Sequence, residues 1–323
     1  MKISGVGVPF SYHQSSCSNR KPTNFEWSEG SEQIQIWMDM KIPYGVQHAR
    51  QLDRDDPASR YAWFCESRGI VPYLQLAFEN EAILEELLDA YKGIFTCDRE
   101  LVAKHEKIHF CFAGSNLPWT PEKDYKIHDK TELCSFIGSG KNTTKGHNFR
   151  HRLLKQLSVR IAGQPMAQPF GTMIGKAFGF KPGCHLQQFD KSIDIPWHDK
   201  SEALNDFMFS IVIENAQYDD YFTEKITDCF ATGTIPVYWG TKNIGKHFNS
   251  DGIIELPSDG FGDGDVELAD FILTNRLTSD LYYSKMDAIK DNLERVKNMR
   301  SADDMLFDKI QKIETAEPFS LGK

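Results

Sequence analysis

The stretch "FMFSIVIENAQYDDYFTEKITDCFATGTIPVYWG", residues 207–240, decides the fold. FMFSIVI (207–213) is a continuous apolar run of strand length, as expected of a strand covered on both faces. A polar loop, 214–221, leads to a helical pattern from about 222 to 232. Gly233 stops that helix, since a left-handed residue after a helix end is most often glycine. IPVYW (235–239) is a second strand, with Pro236 among its first residues, where a missing N–H is tolerated. A strand, a helix and a strand in this order predict a parallel βαβ unit and an α/β protein.

The same rhythm extends outward. RYAWFC (60–65) is a short apolar strand ending at Glu66. ENEAILEELLDAYK (79–92) places Ile83, Leu84, Leu87, Leu88 and Tyr91 on one helical face. Strands are predicted at 93–96 and 108–112, with a helix near 98–106 between them. Residues 114–132 are rich in proline and charge and lack a period, so a domain boundary is placed there. A second α/β unit opens with LCSFIGS (133–139) and continues into a helix near 148–158 with Phe149, Leu153, Leu154 and Leu157 inward. Residues 1–60 and 159–200 give no readable pattern. Past Ser279, apolar residues recur at helical spacing to Met299, and Phe307, Ile310 and Ile313 suggest a last amphipathic helix. The domains read as 1–125, 126–305 and a C-terminal helix or tail, 306–323.

With 323 residues, 37 Lys plus Arg and 46 Asp plus Glu, the chain carries a formal charge of −9. That balance argues against a broad nucleic-acid surface. No run approaches the roughly 20 apolar residues that span a bilayer. The N-terminal residues lack the features of a signal peptide. Seven scattered cysteines without a CxxC pair predict reduced thiols and a cytoplasmic setting. The histidines show no metal-binding spacing, so no metal is expected. Asp263 and Asp265 have the D-x-D spacing of metal-dependent sugar transferases, but read better as a Gly/Asp turn. GSGKNTT (138–144) fails the phosphate-loop pattern. Trp119, Trp197 and Trp239 could stack on a sugar, and each also suits a core.

Chemistry is expected where strands deliver their C-terminal ends. Asp219, Asp220 or Thr223 could cap the helix. Ile226, Cys229 and Phe230 form its buried face, which leaves Glu224 and Lys225 in an exposed first turn. A glutamate there complements the helix dipole, whereas a lysine there makes sense beside a bound anion such as a phosphate. Two solvated first-turn residues are the alternative.

Glu214-Asn215, Tyr221-Phe222-Thr223-Glu224-Lys225 and Pro236-Val237-Tyr238-Trp239-Gly240, in that order over residues 200–256, resemble the donor-binding segment of the α-1,3-fucosyltransferases of glycosyltransferase family 10. The resemblance extends from about 133 to 300. It implies a GT-B architecture, with two Rossmann-like domains facing a cleft, and inverting transfer of L-fucose from GDP-fucose to a hydroxyl of an acceptor glycan. It implies no cofactor besides that donor substrate. Carried over by motif, Glu224 holds the ribose hydroxyls, Lys225 the diphosphate, and Asn215 and Tyr221 the nucleoside. Arg150, seven residues before Leu157, takes the place of the family's arginine that meets charge on the leaving diphosphate, and Arg152 competes for that place. Glu66, in WFCESRGIVP, takes the place of the general base, with Ser67 departing from the family's usual asparagine. Pairing with Arg68 is the competing role for Glu66. A different nucleotide-sugar donor, or a non-catalytic nucleotide-sugar or glycan-binding protein, are the alternatives.

Overall fold

A computed structural model of the chain describes residues 1–7, 20–30, 32–51, 59–138, 141–162, 176–180, 193–195, 200–256 and 277–315. The chain divides into two compact units. Unit 1 comprises Met1–Asn116 with Arg300–Lys323, and unit 2 comprises Leu117–Met299.

Unit 1 runs β1 (Lys2–Val6), β2 (Glu26–Ser28), β3 (Ile34–Met38), α1 (Ile42–Gln51), β4 (Ser59–Phe64), α2 (Pro72–Glu79), α3 (Glu81–Ala90), β5 (Gly93–Thr96), α4 (Arg99–Val102) and β6 (Ile108–Phe110). Its sheet has the order β2-β1-β3-β4-β5-β6, and every pairing is parallel. Side chains alternate across it as strand geometry requires. Tyr61, Trp63 and Cys65 enter one core cluster, and Ala62 and Phe64 enter the other, under α1 to α3. The helix expected over 79–92 is α3, and a second helix, α2, directly precedes it. Asn80, with φ −124 and ψ 114, breaks the run, and its side chain accepts from the N–H groups of Ala82 and Ile83 to cap α3.

Unit 2 runs β7 (Glu132–Gly138), α5 (Lys145–Ala162), β8 (Lys176–Phe180), β9 (Ile193–Ile195), α6 (Ser201–Leu204), β10 (Phe207–Ile213), α7 (Glu224–Ala231), β11 (Ile235–Trp239), β12 (Ile254–Glu255), α8 (Ser279–Ser284) and α9 (Met286–Lys297). This second parallel sheet has the order β12-β11-β10-β7-β8-β9. Every residue of β10 and β11 is buried, as their unbroken apolar runs predict. Gly233 has φ +71 and follows α7 at the expected stop. Two parallel sheets wrapped in helices give the α/β, GT-B class expected from the sequence.

The last helix, α10 (Ala302–Thr315), belongs to unit 1. Its Ala302, Leu306 and Ile310 fill the cluster around Trp63. Trp27 Nε1 donates to Asp303 at 2.7 Å, and Thr23 N donates to Asp304 at 2.7 Å. The division falls at Asn116 rather than near 125 because Asn116 is stapled to the start of this helix. Its amide donates to the Arg300 carbonyl and accepts from Ala302 N, each at 2.9 Å. Among the described residues no helix is long and apolar enough to cross a membrane. Cys65, Cys97, Cys111, Cys134 and Cys229 are buried free thiols; Cys17 and Cys184 lie outside the described residues.

Candidate active site

In unit 2 the order β10-β7-β8 reverses the chain's path between β7 and β10. The crevice beyond the C-terminal ends of two such strands is where an open α/β sheet holds its ligand. Helix α5, which follows β7, starts against the end of β10. A Cβ on Gly146 would sit 1.8 Å from the Glu214 carbonyl oxygen, so only glycine permits this approach. Arg150 is one turn further along α5 and is buried. Its Nε donates to the Ile213 carbonyl at 2.9 Å, and a terminal nitrogen donates to Asn215 Oδ1 at 2.8 Å. The Asn215 amide then donates to the buried Tyr221 hydroxyl at 3.3 Å. Arg152, the competing arginine, is exposed beside Phe149.

Glu214 is fully buried and organises the entry to α7. Its carboxylate accepts from Thr223 N at 2.9 Å and from Thr223 Oγ1. It also accepts from Lys225 Nζ at 3.1 Å. Thr223 is the N-cap residue, yet its hydroxyl makes no cap bond because it is spent on Glu214. Asp220 is not the cap either. It sits in the left-handed region, φ 62, where its carboxylate accepts from Asn243 Nδ2 at 3.0 Å and lies 2.7 Å from His247 Nε2.

The exposed first turn expected for Glu224 and Lys225 is corrected by the structure. Glu224 is buried, as are all residues from Ile226 to Ala231, while the Lys225 side chain keeps 25% of its surface. The reason is lateral cover that periodicity cannot register. Lys200 Nζ lies 3.0 Å from Glu224 Oε1 and 2.8 Å from Asp228 Oδ2, and α9 packs against α7 from another side. The anion facing the lysine in this structure is Glu214, with Glu224 3.7 Å away. His147, buried at the start of α5, has its pKa pushed down to about 3 by burial and then by Arg150, Lys141, Lys225 and His151. His147 is therefore a neutral imidazole among cationic groups.

In unit 1, Glu66 is half-buried just past the end of β4. Its backbone N–H donates to Asp39 Oδ1 at 3.3 Å, and that of Cys65 donates to the same oxygen at 2.8 Å. Asp39 follows β3 with φ 42. Burial, then the charge of Glu66, raise its pKa to about 7, against the pull of the two amides. Arg68 forms ion pairs with Asp98 at 2.6 Å and with Glu100. Trp239 is a core residue, and Trp119 lies under the Lys200 ammonium. Trp197, Asp263 and Asp265 lie outside the described residues. Among the described residues no group of three or more side chains could hold a metal ion.

Residues 127–286 match the family model for glycosyltransferase family 10 (fucosyltransferase), C-terminal part. This chain carries a family 10 domain. The α-(1,3)-fucosyltransferase FucT of Helicobacter pylori is 39% identical over 57 residues, 18% of this chain and 12% of that protein. The match thus spans a small part of that relative. Among solved structures, an α1,3-fucosyltransferase aligns with a TM-score of 0.50 at 12% identity, covering 98% of this chain and 90% of the other. Anabaena HepE in complex with UDP-glucose aligns with a TM-score of 0.56 at 9% identity, covering 87% and 78%. At such identities these structures share the fold.

Within the family 10 domain the sequence reading missed three participants: Glu214 as the partner of Lys225, Lys200, and Asp228. One signal for Lys200 was present. Glu224 and Asp228 stand four apart on one helix, an arrangement that repels unless a cation sits between them.

Proposed function

We propose that the chain transfers L-fucose from GDP-fucose to a hydroxyl of an acceptor glycan, with inversion at the anomeric carbon. The family 10 domain supports fucosyl transfer. The observation that carries the site assignment is the meeting of Arg150, Asn215, Tyr221, Glu224 and Lys225 at the end of β10. Arg150, Asn215 and Tyr221 form one hydrogen-bonded series, and Lys225 stands between the carboxylates of Glu214 and Glu224.

In this reading Asn215 and Tyr221 line the nucleoside pocket, and Glu224 accepts from the ribose hydroxyls. Lys225 and Arg150 place positive charge where the diphosphate gains negative charge as the sugar–phosphate bond breaks. Fixed charges aimed at that oxygen are the main electrostatic help such a transfer needs. Lys225 suits the part because it is the most exposed member of the cluster, and a bound diphosphate competes with Glu214 for it. The acceptor oxygen attacks from the opposite face, and its proton passes to the Glu66 carboxylate acting as general base.

A thermal-shift and hydrolysis screen over nucleotide sugars tests the donor. Stabilisation by GDP and GDP-fucose alone is expected. Equal or greater stabilisation by a uridine sugar overturns the donor assignment.

A further inference from the structure

Lys200 is remote from the motif in sequence, 24 residues before Glu224, yet it is built into the same site. Its side chain is 2% exposed. The ammonium contacts Glu224 Oε1 at 3.0 Å and Asp228 Oδ2 at 2.8 Å, and stands 4.6 Å from the centre of the Trp119 ring. Asp228 is anchored on its other oxygen, which accepts from Thr120 N at 2.8 Å and Thr120 Oγ1 at 2.9 Å. The lysine is thus clamped from the Asp228 and Trp119 side by groups that no nucleotide needs to touch. On the motif side it contacts Glu224.

We infer that Lys200 is a positioning residue for the donor site, holding the Glu224 carboxylate in the orientation that receives the ribose; the inference rests on the ribose role given to Glu224 above. Three observations support it. Glu224 and Asp228 are both buried, and two carboxylates one helical turn apart cannot both keep their charge there without a cation between them. Burial alone would discharge the lysine, but Asp228 and Glu224 more than offset it and raise its pKa, so the ammonium persists. Glu224 occupies the first position of α7, where its long side chain would otherwise sample several rotamers. Ordering it in advance lowers the cost of binding.

A merely structural lysine and a positioning lysine differ in one measurable respect. If Lys200 acts through Glu224, its loss weakens only ligands that carry ribose hydroxyls. Binding of GDP and of 2′,3′-dideoxy-GDP is measured by calorimetry for the wild-type chain and for Lys200→Met. The wild type is expected to favour GDP by about 10- to 100-fold, the range for hydrogen bonds to a charged acceptor. In Lys200→Met that preference should fall towards one, with the dideoxy nucleotide bound as before. Lys200→Gln keeps a donor and much of the buried volume but loses the charge, and the same criterion applies to it should the methionine variant not fold. Retention of the wild-type preference, or equal weakening of both nucleotides, overturns the inference. Absence of any preference in the wild type instead removes the ribose role of Glu224, and this inference with it.

Discussion

The ends of β4 and β10 solve one problem in two ways. At each, a buried carboxylate holds backbone N–H groups, just past β4 in one case and at the start of α7 in the other. Asp39 takes the N–H groups of Cys65 and Glu66; Glu214 takes that of Thr223. In unit 2 the carboxylate is answered by the Lys225 ammonium. In unit 1 Asp39 faces a second carboxylate, Glu66, and shifts towards its neutral form. The strand end in unit 2 has its buried charge compensated in place. The strand end in unit 1 sets two carboxylates close together, and burial with the charge of Glu66 pushes Asp39 towards its neutral form.

The largest effect expected from breaking this contrast is in unit 1. Glu66→Gln should lower fucose transfer by about 10³-fold, within the range for loss of a general base, while GDP binding changes by less than twofold. Undiminished turnover would remove Glu66 from the base role. In unit 2, Gly146→Ala forces a Cβ against the backbone of Glu214 and Asn215. We expect it to destabilise unit 2 by about 3 kcal/mol, the upper range for overpacking, as read by urea denaturation. GDP affinity should fall as well, because Arg150 moves with α5. Wild-type stability in this variant would show that the helix start tolerates displacement.

A subtler effect concerns pH. The folded chain keeps Asp39 protonated up to about 7, whereas an ordinary aspartate releases its proton near 3.8. Between those values the native form binds the extra proton, so the contribution of Asp39 to the stability of unit 1 is full below pH 4 and is lost as pH rises towards 7. His147 has the opposite sign. Its pKa falls from 6.5 to about 3 on folding, so unit 2 loses stability as pH falls from 6.5 towards 3. Each term is at most a few kcal/mol. Hydrogen exchange on peptides from β3–β4 and from α5–β10, followed from pH 4 to 7, should show opposite trends. Asp39→Asn should flatten the first trend and leave the second. Parallel trends in the two units would sink this contrast.

Unit 2 was legible in the sequence because β10 and β11 are buried along their whole length and its helix stop is a glycine with φ +71. The surroundings of that unit's first turn were not. Lys200 covers Glu224 from outside α7, and a helical period in α7 reports only its own stripe. β1, β2 and β3 were missed because they are three to five residues long and include polar positions, as in Glu26–Ser28. The allegiance of α10 to unit 1 depends on pairings across nearly the whole chain, such as Trp27 with Asp303. No local pattern encodes a separation of that length. Gly146 was passed over for a related reason: its need for glycine arises from the Glu214 carbonyl 68 residues away, not from its neighbours.

In the proposed function the end of β10 is a diphosphate site in which Lys225 leaves Glu214 for the ligand. Calorimetric titration of GDP into the wild type and into Lys225→Ala tests it most directly. GDP binding in the variant should be about 10²-fold weaker, the size of effect seen when a charge-assisted contact is lost, with guanosine bound equally by both proteins. Equal GDP affinity in the two proteins would contradict it.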